Sequence, residues 1–311
     1  MDFHIYLPIA GNSVSIVPLL GLGVIVGFLS GLFGVGGGFL LTPLLIMIGI
    51  PPTVAAASDS NQIVAASASG TFAHYRLGNV DFKMGILLLI GGIAGGTFGV
   101  QLVKILRSTG NADFVIQITY VIMLGLIGGY MFLESLRNLR QGLSKVQNEK
   151  PYPAKPSLYV RIMKNLPAKT NFAKSKIHVS IFLPFLLGAL VGILAAIMGV
   201  GGGFVMVPIM IYLLRIPMHV VVGTSLFHIF FTCVNVTIMQ SYLNHTVDFL
   251  LALILLIGST TGAQIGAKIS KRLKADQIKI LLALIVLVVM IKMLLGLVLA
   301  PHILLAYKGG H

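Results

Sequence analysis

The pentapeptide Gly-Val-Gly-Gly-Gly occurs twice in this chain, at Gly34 to Gly38 and at Gly199 to Gly203. Each copy is followed by Phe (Phe39, Phe204) and, four residues later, by Pro (Pro43, Pro208). Both copies lie inside apolar stretches long enough to enter a bilayer. Glycine loses more backbone freedom on folding than any other residue and is a poor helix former. A run with four glycines in five positions therefore breaks a helix at membrane depth. Irregular backbone is tolerated there only where it is buried in protein or lines a cavity. Two such breaks at matching places of two halves point to a ligand site of the kind found in carriers.

Of the 311 residues, 57% are hydrophobic and only 10% are charged. A soluble domain carries roughly 25% charged residues, so the composition fits a polytopic membrane protein and not a single soluble core. The net charge of +14 raises the question of nucleic acid. The basic residues, however, sit mainly in loops between apolar segments, where topology signals belong, and no nucleic-acid partner is expected. Cys233 is the single cysteine, which excludes a disulfide framework and a cysteine metal site. No metal and no cofactor is expected. The N-terminus lacks a basic region before its apolar stretch, so no removable signal peptide is expected.

Ten apolar segments can be read, at about 17–33, 38–50, 54–75, 83–105, 112–135, 178–198, 203–214, 218–242, 248–269 and 276–299. They predict an all-α polytopic membrane protein of about ten transmembrane or re-entrant helices. Residues 1–135 form a first membrane repeat and 177–311 a second. The polar, proline-containing stretch 136–176 reads as a basic surface linker with some helix. The duplication rests on several motifs: Gly34 matches Gly199, Pro43 matches Pro208, Pro52 matches Pro217 and Ser60 matches Ser225. A two-residue shift then brings Val80-Asp81-Phe82 onto Val247-Asp248-Phe249, and Gly91, Gly95 and Gly99 onto Gly258, Gly262 and Gly266.

An odd number of crossings per half would invert the second copy, and the charges bear on this. With the linker in the cytoplasm and the sides alternating, eighteen Lys and Arg fall inside and only Lys104, Arg107 and Lys308 fall outside. Lys292 lies within the last segment, where it either snorkels to the interface or stands as a buried counter-charge for an anion. The positive-inside rule thus favours inverted five-segment repeats with both termini outside.

The short segments after each glycine run start with free N–H groups and the positive end of the peptide dipole. Gly36, Gly37, Gly38, Gly201, Gly202 and Gly203 are accordingly candidates to receive a small anion on the backbone. The other reading of the same glycines is tight helix crossing or a hinge. The third segment of each half is polar for a membrane span. Ser60, Ser67, Thr71 and His74 share one stripe, and Ser225, His228, Thr232 and Asn235 share the other. Facing each other across a pseudo-two-fold axis, these stripes would line a pathway with donors suited to an oxyanion. Alternatively, the hydroxyls bond back to their own helices. Asp59, at the start of the third segment, either carries a coupling proton, with His74 or His228 as alternative carriers, or caps the helix. Repeated small residues at Gly91, Gly95, Gly99, Gly258, Gly262 and Gly266 predict close helix packing.

These residues together resemble the sulfite exporter TauE/SafE family. The resemblance rests on Gly34 to Phe39 and its copy Gly199 to Phe204, on Gly223-Thr224-Ser225-Leu226, and on His74, Gly78, Val80 and Asp81. It covers nearly the whole chain except the linker. It implies a multi-pass carrier of the bacterial or archaeal inner membrane that exports sulfite or organosulfonates. The first half departs from the pattern, with Ser58-Asp59-Ser60-Asn61 where the second has Gly-Thr-Ser-Leu. The expected partners are a small anionic substrate, a coupling proton or sodium ion, and the lipid bilayer. An anion channel would keep a continuous pore. A membrane-embedded enzyme would need Asp59, His74 and His228 to meet in space, and the chain contains no HExxH or comparable motif. A scaffold subunit would predict that changes at the glycine and hydroxyl positions alter abundance but never flux.

Overall fold

The computed structural model describes residues 4–33, 38–140, 168–172, 174–175, 177–214, 216–270 and 275–299. Apolar runs of helix-forming residues give α1 (Ile16–Phe33), α2 (Gly38–Met47), α3 (Pro52–Arg76), α4 (Phe82–Ser108) and α5 (Ala112–Arg140). After the linker come α6 (Phe182–Met198), α7 (Gly203–Pro208), α8 (Met218–Met239), α9 (Phe249–Ser270) and α10 (Ala275–Leu299). Five stretches are helical, long and apolar enough to cross a membrane: Phe82–Ser108, Ala112–Leu133, His219–Asn244, Phe249–Gly266 and Leu281–Leu299. Three more are apolar but shorter: Ile16–Ser30, Gly38–Met47 and Phe182–Met198. The 25-residue α3 is long enough at 1.5 Å per residue but is rich in polar residues, Ser58 to Gln62 above all. The architecture is that of an all-α membrane protein.

Two short antiparallel hairpins precede the two halves. In the first, β1 (His4–Leu7) pairs with β2 (Asn12–Ser15), His4 opposite Ser15. In the second, β3 (Lys169–Phe172) pairs with β4 (Ile177–Ser180), Lys169 opposite Ser180. The stretch expected to open the second half as an apolar segment at 178 thus begins as a strand, and helix starts only at Phe182. Residues 169–172, expected in a loop with some helix, are also strand, and α5 runs on to Arg140. The hairpins are anchored by Leu7 and Phe172, both fully buried.

Proline sits inside α2 (Pro43) and at the end of α7 (Pro208). Lacking an N–H, each leaves the carbonyl four residues earlier without its helical partner, and that residue is Phe39 or Phe204. Beyond Pro208 the backbone widens into a π-helical turn, Ile209–Leu213, and α8 ends in another, Gln240–Asn244.

The helices pack in a reciprocal pattern. α1 lies along α9, α4 lies along α6, α3 crosses α8, and α5 lies against α10. Glycine makes the first two contacts possible. A Cβ on Gly27 of α1 would stand 2.2 Å from the carbonyl oxygen of Ser259, and one on Gly262 of α9 would stand 2.1 Å from that of Val24. On the other seam, Gly91 and Gly95 of α4 meet the carbonyls of Phe185 and Ala189, while Gly188 and Gly192 of α6 meet those of Leu88 and Gly92. Such close backbone approach is the usual basis of helix association in lipid.

Two aspartates fasten the hairpins to this frame. Asp81 caps α4, its Oδ1 accepting from the Met84 N–H at 3.2 Å. Its Oδ2 accepts from the Ser175 N–H and hydroxyl in the second hairpin, and its own N–H donates to Thr224 on α8. Asp248 has the matching role before α9: it accepts from the N–H groups of Leu251 and, in the first hairpin, Ile9, and donates its N–H to Ser58 on α3.

Candidate functional site

The second glycine run is a left-handed turn. Gly199, Gly201 and Gly202 have φ of 72°, 66° and 74°, a region other residues enter only at a cost of about 1–2 kcal/mol. Space forbids side chains as well: a Cβ on Gly199 would lie 1.9 Å from the Ala56 carbonyl of α3, and one on Gly201 would meet Cys233, Ile229 and Ile63. Gly203 then opens α7. In the first run Gly38 opens α2, whereas Gly36 and Gly37 lie outside the described residues. Phe39 and Phe204, the residues after the two runs, stack face to face with centroids 5.2 Å apart and planes 4° apart. Both rings are buried, so the two broken segments meet through this stack.

α3 and α8 supply the side chains around the breaks. Ser60 is buried and donates both to the Gly199 carbonyl at the second break and to the Ala56 carbonyl of its own helix, each at 3.2 Å. Ser67 donates back to Ile63 and Val64. Ser225 donates to the Met210 sulfur at 3.3 Å. His228 and Thr232 are 3.3 Å apart and both abut Gly92 of α4. Asn235 reaches α4, donating to Thr97 and to the Ile93 carbonyl. His74 lies near the other end of α3, 3.4 Å from Asn79, and is not gathered with Asp59 at the breaks. Between the two helices, Ile63, Ile229 and Cys233 form a small apolar cluster.

Asp59 sits two turns into α3, fully buried, so it does not cap the helix. Its Oδ2 accepts from the Thr42 hydroxyl of α2 at 2.7 Å, and its Oδ1 has no partner. A Cβ placed on Gly38 would be 3.2 Å from Oδ2, which puts the carboxyl against the first turn of α2. Four further buried side-chain atoms among the described residues lack partners: Gln62 Oε1, Thr71 Oγ1, His228 Nδ1 and Thr237 Oγ1. All five belong to α3 or α8. Buried polar atoms are ordinarily paired, and the concentration of unpaired ones on the one crossing pair marks a polar seam between α3 and α8.

Tyr120 was not among the residues expected at the site. It is fully buried on α5 and donates its hydroxyl to the carbonyl of Met198, the last residue of α6. A tyrosine in mid-segment must find a partner for its hydroxyl, and that was the available signal. Thr42 and the Gln62–Ser259 hydrogen bond (2.5 Å) also emerge only in three dimensions. Among the described residues, no three His, Cys, Asp or Glu side chains converge on a metal position.

Comparison with known proteins gives a consistent picture. The sequence profile described as "Sulfite exporter TauE/SafE" matches residues 19–293. Two proteins of Bacillus subtilis (strain 168) align over nearly their whole lengths. "Probable membrane transporter protein YunE" is 26% identical over 89% of this chain and 96% of its own. "Probable membrane transporter protein YjnA" is 28% identical over 89% of this chain and 99% of its own. "Sulfite exporter TauE/SafE family protein 1" of Arabidopsis thaliana is 29% identical over 33% of this chain and 23% of its own. No solved structure matches.

Proposed function

The chain belongs to the sulfite exporter TauE/SafE family of membrane transporters, and on that premise we propose that it is a secondary carrier of a small sulfur-containing oxyanion, sulfite or an organosulfonate. The observation that carries the site is the gathering, on α3 and α8, of the five buried side-chain atoms that lack partners among the described residues, beside the stacked phenylalanines that follow the two glycine runs. The oxyanion binds at the breaks, on backbone N–H groups of Gly36 to Gly38 and Gly201 to Gly203. Ser60, Ser67, Ser225, His228, Thr232 and Asn235 supply side-chain donors as the helices move. The chemistry is positioning without covalent change, so the protein is not an enzyme.

Transport proceeds by alternating access between two inverted five-segment repeats, 1–135 and 177–311, joined by a cytoplasmic linker at 136–176 in the inner membrane, with both termini outside. The reciprocal packing supports this: α1 on α9 and α6 on α4 exchange the same roles between halves. A proton or sodium ion couples the movement. Uptake into proteoliposomes of sulfite, sulfate, an organosulfonate, acetate and leucine tests the reading. Saturable uptake and counterflow of one sulfur oxyanion is the expected result. Flux that neither saturates nor exchanges means a channel, and no flux of any sulfur anion through verified folded protein overturns the substrate class.

A further inference from the structure

We propose that Asp59 carries the coupling proton and, when protonated, donates from Oδ1 to the oxyanion at the start of α2, so that anion and proton move together. The inference rests on the carrier reading above and names its coupling ion. A buried charge without a partner is costly. The groups that reach Asp59 are Thr42 from α2, which donates to Oδ2, and Tyr120 from α5 and Cys233 from α8, which lie within electrostatic range. None of the three is cationic. Among the described residues no Lys, Arg or His pairs with the carboxyl, and Oδ1 has no hydrogen-bond partner. An additional positive charge has to accompany any anion that comes here.

A sodium ion would need a shell of oxygens such as unwound carbonyls provide. At the second break, the Met198 carbonyl already accepts from the Tyr120 hydroxyl and the Gly199 carbonyl from Ser60. The neighbour that shares the Gly38 contact with Asp59 is the apolar Ile63. A proton on Oδ1 needs no such shell, and it turns an atom with no partner into a donor on a carboxyl that lies against the start of α2. The second half has no counterpart: Thr224 and Val207 stand where the first half has Asp59 and Thr42. One carboxyl per chain predicts one proton per anion.

The test uses the full-length protein in proteoliposomes with methanesulfonate, whose single charge is constant over the range titrated, and with sulfite in parallel. The wild type is expected to accumulate the anion when the outside is acidified. Internal pyranine should report one proton per sulfonate, and an imposed membrane potential should have no effect on sulfonate uptake. Its apparent affinity should fall about tenfold per pH unit once Asp59 deprotonates. Asp59→Asn keeps a donor and the Thr42 hydrogen bond. It should retain counterflow, lose accumulation and lose the pH dependence. Accumulation by Asp59→Asn equal to wild type, accumulation driven by a sodium gradient, or wild-type affinity indifferent to pH overturns the proposal while leaving the carrier standing. Should the variant fail to fold, the wild-type stoichiometry and titration decide alone. No wild-type counterflow with either anion takes down the carrier reading and this inference with it.

Discussion

Substituting Gly95 by Ala is a direct probe of how closely the two halves are pressed together. An ideal Cβ there would lie 1.9 Å from the Ala189 carbonyl oxygen, 2.6 Å from its carbonyl carbon and 2.7 Å from its Cα. All three are backbone atoms of α6, so no side-chain rotation relieves the overlap. To reach a 3.0 Å contact the helices must part by about 1.1 Å, in an interior that packs like a crystal. A gap of that order forfeits roughly a quarter to a half of each dispersion contact of about 0.1–0.2 kcal/mol. Over roughly forty atom pairs along the seam, taken near the middle of both ranges, the loss is about 2–3 kcal/mol. Replacing a helical glycine by alanine returns about 1 kcal/mol, leaving a net loss of about 1–2 kcal/mol. Gly129 of α5 is the control, because nothing lies within 4 Å of its Cβ position, so Gly129→Ala should show only the gain. Unfolding in dodecylmaltoside–SDS mixed micelles, followed by far-UV circular dichroism, should separate the two variants by about 2–3 kcal/mol. If Gly95→Ala is as stable as Gly129→Ala, the two helices are not in backbone contact and the reciprocal packing is wrong.

Other expectations follow from single contacts. Tyr120→Phe strands the buried Met198 carbonyl at the second glycine break and should cost about 1–3 kcal/mol, seen as a lower thermal midpoint in detergent; an unchanged midpoint would mean that the hydroxyl has no partner there. Asp81→Ala and Asp248→Ala each remove an N-cap and a hairpin tether, so each should lose about 1–2 kcal/mol, and Asp81→Asn should lose less; equal stability of Asp81→Ala and wild type would sink the tether. Gly202→Leu combines a φ of 74° with a Cβ 2.1 Å from Val191, and folded variant protein that transports normally would remove the second break from the site. A reporter moved from the C-terminus to the linker should switch sides of the membrane, and the same side for both would refute inverted repeats.

The helices and their glycine-lined seams were legible in the sequence because their signals are long and repeated. Gly91, Gly95 and Gly99 recur every fourth residue, and small residues at that spacing have few uses in lipid other than close packing. The second break was legible for the same reason, since a glycine run inside an apolar stretch leaves few alternatives. The hairpins escaped because strands of four residues are too short for an alternating pattern to rise above its surroundings. The environment of Asp59 was also hidden. Its closeness to the prolines at 51 and 52 made a cap plausible, whereas the structure turns it inward to Thr42. Tyr120 and Met198 are 78 positions apart, and nothing local to either residue announces the other. Ser67 went to the less interesting of its two readings, hydrogen-bonding its own helix, as mid-helix hydroxyls commonly do.

The swapped seams have a consequence for how the chain is made. The glycine face of α4 fits α6, and α6 leaves the ribosome only after α5 and the whole linker. Until then Gly91 and Gly95 lack the carbonyl ridges of Phe185 and Ala189 that they fit. The N-terminal half waits longer for its own first helix, because the partner of α1 is α9. Neither half closes on itself, so a chain truncated in the linker should be recognised by membrane quality control as an orphan. Two separately translated halves should rescue each other when produced in the same cell.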